Sequence, residues 1–253
     1  MARPTFLVQL SDLHVGANED GVDPLPHLEA VVEAVWSLPN RPDAVLVSGD
    51  LTDDGAESGY RLARELLGRL EAPLYVLPGN HDDRGRLRAA FGLPGEGDEP
   101  IRYSVDVGEL RLVVFDSNVP GQDPGRYDPV QLRWLDGELG AEPERPTLLA
   151  LHHPPLATGI EEWDGINLEP GQRPLLAEVV ARHPQVQAIV GGHLHRIASS
   201  ALAGVPVLAV PSTYLQARPD FETEGVELMP HPGFALHVLR DGELASQVQS
   251  VPL

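Results

Sequence analysis

The sequence predicts an α/β protein in which two packed β-sheets are covered by helices. Short apolar runs alternate with stretches of helical spacing, the rhythm of βαβ units. Three further pairs of strand-like segments flank tight-turn dipeptides, the mark of antiparallel hairpins, which a purely parallel sheet would not contain. With 253 residues, 42% of them apolar, and no internal repeat or low-complexity block, the chain suits one large domain spanning residues 1–253.

In chain order, the buried-strand candidates are Phe6–Leu10, Ala44–Val47, Leu74–Leu77, Leu148–Leu151 and Ala188–Val190. Between them, Leu28, Val31, Val32, Val35 and Trp36 share one face of a helix, and Leu62, Leu66, Leu67 and Leu70 repeat the pattern. Leu132, Leu135 and Leu139 mark a third helix, and Leu175, Leu176, Val179 and Val180 a fourth. The hairpins pair Ile101–Val107 with Leu110–Phe115 around Gly108-Glu109, Ile197–Leu202 with Val205–Val210 around Ala203-Gly204, and Gly233–Leu239 with Leu244–Val248 around Asp241-Gly242. Residues 92–100 are loop. The stretch 216–232, polar and proline-containing without a period, is expected to be a long loop near the C-terminus.

The formal net charge of −20 repels polyanions and argues against a nucleic-acid surface. A chain so acidic that acts on a phosphate needs positive charge from elsewhere, and bound metal ions are one source. Cysteine is absent, which excludes disulfides, thiolate nucleophiles and iron–sulfur clusters. The N-terminal apolar run Phe6–Leu10 is too short for a signal sequence or a membrane span, so the expected location is the cytoplasm with no membrane partner.

Each buried-strand candidate runs into a cluster of metal-type ligands. The clusters are Ser11-Asp12-Leu13-His14, Ser48-Gly49-Asp50, Pro78-Gly79-Asn80-His81-Asp82, His152-His153-Pro154-Pro155 and Gly191-Gly192-His193-Leu194-His195. Ligand sites in open sheets gather beyond the carboxyl ends of strands, so neighbouring strands would bring the five together. Asp12/His14 and His193/His195 are two residues apart, and in extended backbone both side chains of a pair point the same way. Gly49, Gly79 and Gly192 allow sharp turns where the strands end. Carboxylate, amide oxygen and imidazole suit manganese, iron, zinc or cobalt. Singly, Asp-x-His and Gly-Asp are more often surface turns. Their joint occurrence in order, each after an apolar run, makes that bland reading untenable. His27, His183, His231 and His237 lack the context and are expected to be surface, helix-end or packing histidines; Tyr214 and His231 are weaker candidates to border a pocket.

Asp12-x-His14, Gly49-Asp50, Gly79-Asn80-His81-Asp82, His152 and Gly192-His193-Leu194-His195 resemble the full motif set of the calcineurin-like metallophosphoesterases. Ser48–Asp53, Leu77–Asp82, Asp116-Ser117 with Pro120-Gly121, and His152–Pro155 resemble the class III cyclic-nucleotide phosphodiesterase branch, and bacterial glycerophosphodiesterases are similar over the same stretches. The resemblance implies a four-layer α/β/β/α sandwich and two divalent metal ions, manganese or iron first. It implies that Asp12, His14 and His195 hold one ion, that Asn80, His152 and His193 hold the other, and that Asp50 bridges them. His152 is preferred to His153 because relatives with a single histidine there place it directly before a residue and then proline.

Two such ions can clamp an in-line displacement by a bridging hydroxide on a small-molecule phosphodiester, with 3′,5′-cyclic AMP the leading substrate. His81, next to Asn80, is the candidate to protonate the leaving alkoxide, and Asp53 is expected to orient it, as an acid does in similar enzymes. A glycerophosphodiesterase or broad phosphodiesterase is the second reading. A non-catalytic metal-binding scaffold is the third, disfavoured because Asp50 and His81 are both present. A homo-oligomer is left open.

Overall fold

The computed structural model describes residues 3–19, 21–218, 228–229 and 231–253. Its elements are β1 (Thr5–Leu10), α1 (Pro24–Trp36), β2 (Ala44–Ser48), α2 (Glu57–Gly68), β3 (Leu74–Leu77), α3 (Arg84–Phe91), β4 (Arg102–Val107), β5 (Leu110–Phe115), α4 (Pro129–Ala141) and β6 (Thr147–Ala150). There follow α5 (Glu161–Ile166), α6 (Gln172–Val180), β7 (Val186–Gly191), β8 (Ala198–Leu202), β9 (Val205–Ala209), β10 (Gln216–Ala217), β11 (Leu228–Met229), β12 (Gly233–Arg240) and β13 (Glu243–Ser250).

One sheet has the order β13-β12-β1-β2-β3 and the other β4-β5-β6-β7-β9-β8. The strands β1, β2 and β3 are parallel, as are β5, β6, β7 and β9. The three anticipated hairpins form the antiparallel pairs β4/β5, β8/β9 and β12/β13. Alternation of side chains along the strands assigns the layers. Leu7, Ala44 and Leu46 of the first sheet meet Leu112, Val114, Leu148, Ala150 and Val190 of the second in a core between the sheets. The intervening Val8, Leu10, Val45 and Val47 face outward onto α1 and α2, while Val113, Phe115, Leu149 and Ile189 face the helices of the opposite side. The result is the four-layer α/β/β/α sandwich.

Several local expectations need correction. Trp36 and Leu175 end or begin an apolar stripe yet are exposed, and the Trp36 ring is capped by the Arg41 guanidinium. Helix α3 escaped the periodicity argument because Arg84 and Arg88 occupy inward positions, where their guanidiniums bind main-chain carbonyls of 94–99 and 118. Its boundaries were nonetheless encoded: the Asp83 carboxylate accepts from Arg86 N–H as N-cap, and Gly92 closes the helix at φ 67°. Within 216–232, expected as loop, Gln216–Ala217 and Leu228–Met229 form a short antiparallel ladder; residues 219–227 and 230 lie outside the described part. No helix among the described residues is long and apolar enough to cross a membrane.

Candidate metal centre

Main-chain bonds lock the loops after β1 and β2 together, with Asp12 N–H donating to the Gly49 carbonyl at 3.0 Å and His14 N–H to that of Asp50 at 2.9 Å. The loop after β7 is tied to the loop after β6 by Gly192 N–H on the His152 carbonyl (3.0 Å). It is tied across to the other sheet by His193 N–H on the Asp12 carboxylate (2.9 Å). The five ligand clusters therefore meet at one rim spanning both sheets.

The histidine rings are held so that one nitrogen of each is aimed inward. His14 donates from Nδ1 to Asp53 Oδ1 (2.9 Å), His152 from Nδ1 to the Ser48 carbonyl (2.8 Å), and His195 from Nδ1 to the Leu215 carbonyl (3.0 Å). His193 uses the opposite nitrogen, Nε2, on the Ile166 carbonyl (2.9 Å). Because each partner is an acceptor only, the bonded nitrogen carries a proton and the other, when deprotonated, can serve as a metal ligand. Those free nitrogens converge: His14 Nε2 lies 3.0 Å from His195 Nε2, and Asn80 Oδ1 lies 3.1 Å from His152 Nε2 and 3.0 Å from His193 Nδ1.

Between the two groups sits Asp50. Its Oδ2 lies 3.6 Å from His14 Nε2 on one side and 3.2 Å from His152 Nε2 on the other. Asp12 completes the first group, its ligand atom within 4.8 Å of those of His14 and His195. Imidazole nitrogens, an amide oxygen and carboxylates crowded into a buried space form a donor set that divalent cations would satisfy, so the residues present fit a pair of such ions.

The electrostatics agree. Burial works against ionised Asp50, yet the His152 charge and hydrogen bond outweigh it and hold the carboxyl well below the usual range. Burial also opposes the His152 imidazolium, but Asp50 and Asp12 push His152 up to about 9. Burial lowers His193 to about 3, helped by the nearby His152 charge, and lowers His195 to about 3 with help from His14, so both keep free lone pairs at neutral pH.

Neither pair of ligands two residues apart lies in the extended backbone expected for it. Asp12 (φ 53°), His14 (46°), Asp50 (50°), His193 (65°) and His195 (46°) are all left-handed, so each segment coils tightly around its ligands instead of running past them. Of the glycines, Gly49 does take a positive φ, 101°, but Gly79 and Gly192 serve by their lack of a side chain. A Cβ on Gly79 would collide with the Asp50 carboxylate, and one on Gly192 with Ser11 Oγ.

His81 stands at the rim with its side chain 38% exposed, and its Nδ1 donates to the main-chain carbonyl of Asp53 (2.8 Å), not principally to the carboxylate, which is 3.6 Å away. The Asp53 carboxylate instead grips His14. Residue 53 thus reaches His81 through a different atom from the one expected.

His153 is close enough to His152 and His193 to complete a three-histidine group. Its Nε2, however, donates to the Asp123 carbonyl (2.8 Å) and its Nδ1 accepts from Ser117 Oγ (2.8 Å), so it holds the 117–125 loop and has no nitrogen to spare. Sequence reasoning did not assign a role to Asp82, whose carboxylate accepts from the N–H groups of Leu51, Thr52 and Gly79 and from Tyr60 O–H, pinning the second cluster to the third. Tyr214 does border the recess over the site, and His231 is not among the residues lining it.

Two stacked sheets whose strand ends gather nitrogen and oxygen donors into two groups around one shared carboxylate define a dinuclear metal-site architecture. The chain belongs to the calcineurin-like phosphoesterase family, whose pattern it matches over residues 7–196. Members of that family use a dinuclear metal centre. The chain is 32% identical over 242 residues to a probable glycerophosphodiester phosphodiesterase of Arcobacter nitrofigilis, covering 92% of this chain and 88% of that one. It is 34% identical over 251 residues to a 3′,5′-cyclic adenosine monophosphate phosphodiesterase of Pseudomonas aeruginosa, covering 97% and 90%. Among solved structures, purple acid phosphatase from yellow lupin seeds superposes with a TM-score of 0.74 at 16% identity, over 99% of this chain and 52% of that one, which shows the shared fold.

Proposed function

We propose that the chain is a dinuclear-metal phosphodiesterase that hydrolyses small phosphodiesters, with 3′,5′-cyclic AMP as substrate. Asp12, His14 and His195 would hold one divalent ion, Asn80, His152 and His193 the other, and Asp50 would serve both, with manganese or iron the expected metals. Bound there, the ions would supply Lewis acidity and a nucleophile at neutral pH. His81 holds its Nδ1 proton on the Asp53 carbonyl and presents Nε2 to the recess, where an imidazolium can pass a proton to the leaving alkoxide. Relatives named for cyclic AMP and for glycerophosphodiesters both support the diester reading.

The observation that carries a diester over a monoester is the recess itself. It encloses about 340 Å³, and among the described residues it is lined by Glu19, Asp50, Asp53, Asp123 and Glu162 with no arginine in the lining. A phosphate entering it meets positive charge chiefly from the ions and from a protonated His81. A monoester, nearly doubly charged at neutral pH, is repelled more than a singly charged diester, and the same repulsion favours release of the monoester product. The test is a kcat/KM comparison of the manganese-loaded protein on 3′,5′-cyclic AMP, glycerophosphoethanolamine, bis(4-nitrophenyl) phosphate and 4-nitrophenyl phosphate. Cyclic AMP and the nitrophenyl diester should exceed the monoester. A monoester preference removes the phosphodiesterase reading, and turnover of the glycerol diester with cyclic AMP untouched replaces the substrate.

A further inference from the structure

The apolar side chains that line the recess take no part in the chemistry proposed above. This apolar wall is built by Trp163, Ile166, Leu194, Leu215 and Ala217. Four of these are buried, but Ile166, at the end of α5, remains 38% exposed, a large apolar side chain left open beside a highly polar centre. A substrate group seated against it would remove that apolar surface from water, a favourable term for binding.

The wall is also rigid. The Ile166 carbonyl takes the His193 Nε2 proton at 2.9 Å, and the Trp163 ring lies under the Arg196 guanidinium, 4.7 Å from its centroid. Asn167 Nδ2 donates to the carbonyls of Pro154 (3.0 Å) and Leu156 (3.1 Å). The end of α5 is therefore bolted to both ligand-bearing loops of the second sheet, which fixes the place of Trp163 and Ile166 in the recess lining.

Resting on the phosphodiesterase reading, we infer that Ile166 determines specificity by contacting the organic ester group of the substrate, and that this group is a planar, largely apolar heteroaromatic base, not a polyol. A recess of this volume lies in the range of small-molecule sites, which combine an apolar lining with a few polar groups that fix orientation. A glycerol or ribose end would lose its water against Ile166, Leu194 and Leu215 with no donor or acceptor returned by those side chains. A base would bury the exposed face of Ile166, and the acidic rim excludes ester groups bearing a second phosphate.

The test separates side chain from carbonyl, because a substitution at 166 keeps the main-chain acceptor of His193. In manganese-loaded Ile166→Ser, metal content should stay at the wild-type value. KM for cyclic AMP should rise about tenfold, with kcat/KM for glycerophosphoethanolamine changed by less than about twofold. Ile166→Val should recover most of the loss. Independently of any variant, adenosine should compete with bis(4-nitrophenyl) phosphate in the wild type, while ribose should not. Equal loss on both diesters at full metal content, or indifference to adenosine, overturns the inference even if the protein is a good phosphodiesterase. Failure of metal-loaded protein to cleave any diester would instead sink the underlying reading, and adenosine binding followed by calorimetry would still decide the wall.

Discussion

His237 gives a stability prediction that does not depend on any ligand. It lies on β12 with no exposure, its Nε2 bonded to Gln9 Oε1 at 2.9 Å and its Nδ1 to Ser246 Oγ at 2.7 Å. Burial lowers it from 6.5 to about 4. Between those values the unfolded chain binds a proton that the folded chain refuses, so stability falls as pH drops through that window and is fully present above it. At about 1.36 kcal/mol per pH unit the whole window is worth about 3 kcal/mol, and the interval from pH 7 to pH 5 about 2 kcal/mol. Urea unfolding with chelator present, for wild type and His237→Gln at both pH values, isolates the residue, because the ligand histidines titrate alike in the two proteins. The variant should start less stable at pH 7, having lost good hydrogen bonds, but should lose about 2 kcal/mol less on acidification. Identical losses would show that His237 is not held neutral by burial.

The Asp53→Asn variant should weaken manganese at the His14 site about 10–100-fold while leaving the His152 site near wild type, since only His14 loses its carboxylate acceptor; calorimetric titration would resolve the two affinities. Metal binding at pH 7 should release protons, because His152 sits at about 9 before a cation arrives; titration in buffers of different ionisation enthalpy measures the number, and zero would contradict the Asp50–His152 pairing. His81→Ala should keep metal content and lose about 10²–10⁴-fold on alkyl diesters but much less on nitrophenyl diesters; equal losses would exclude a role at the leaving group.

Strand positions were legible because buried parallel strands are short, mainly apolar runs, and the hairpins because each turn dipeptide carries a glycine. All five parallel-strand expectations and all three hairpins have counterparts in the two sheets. What escaped were elements without apolar periodicity: α3, where arginines point inward, and α5, whose one well-buried residue is Trp163. At the site, residue types marked where the donors lie, yet neither their backbone nor their partners could be read. The acceptors that set each tautomer are mostly main-chain carbonyls, those of Ser48, Ile166 and Leu215, and every residue has one, so no side-chain pattern reveals them. Position 53 shows the same limit, its acid falling to His14 and its carbonyl to His81.

Left-handed backbone at five of the seven candidate ligands is the least expected feature, and it makes a prediction at Asp50. A non-glycine residue in that region costs about 1–2 kcal/mol from the clash between Cβ and the main chain, and such strain persists only where the surroundings impose it. Here they do: Asp50 O accepts from His14 N–H, Asp50 Oδ1 accepts from His81 N–H, and Gly79 packs so closely on the carboxylate that no side chain fits there. Asp50→Ala and Asp50→Gly both delete the shared carboxylate and should both lose ions from each group. They differ in the Cβ, which alanine keeps at φ 50° and glycine lacks, and in the greater backbone entropy that glycine loses on folding. In ordinary helix or strand interiors glycine is less stable than alanine by about 0.5–1 kcal/mol. At position 50 the order should invert, with metal-free Asp50→Gly more stable than metal-free Asp50→Ala by about 1 kcal/mol in urea unfolding. Alanine proving the more stable would mean that the loop relaxes out of the left-handed region once the carboxylate is gone, and that the strain belongs to the aspartate's hydrogen bonds, not to the fold that carries it.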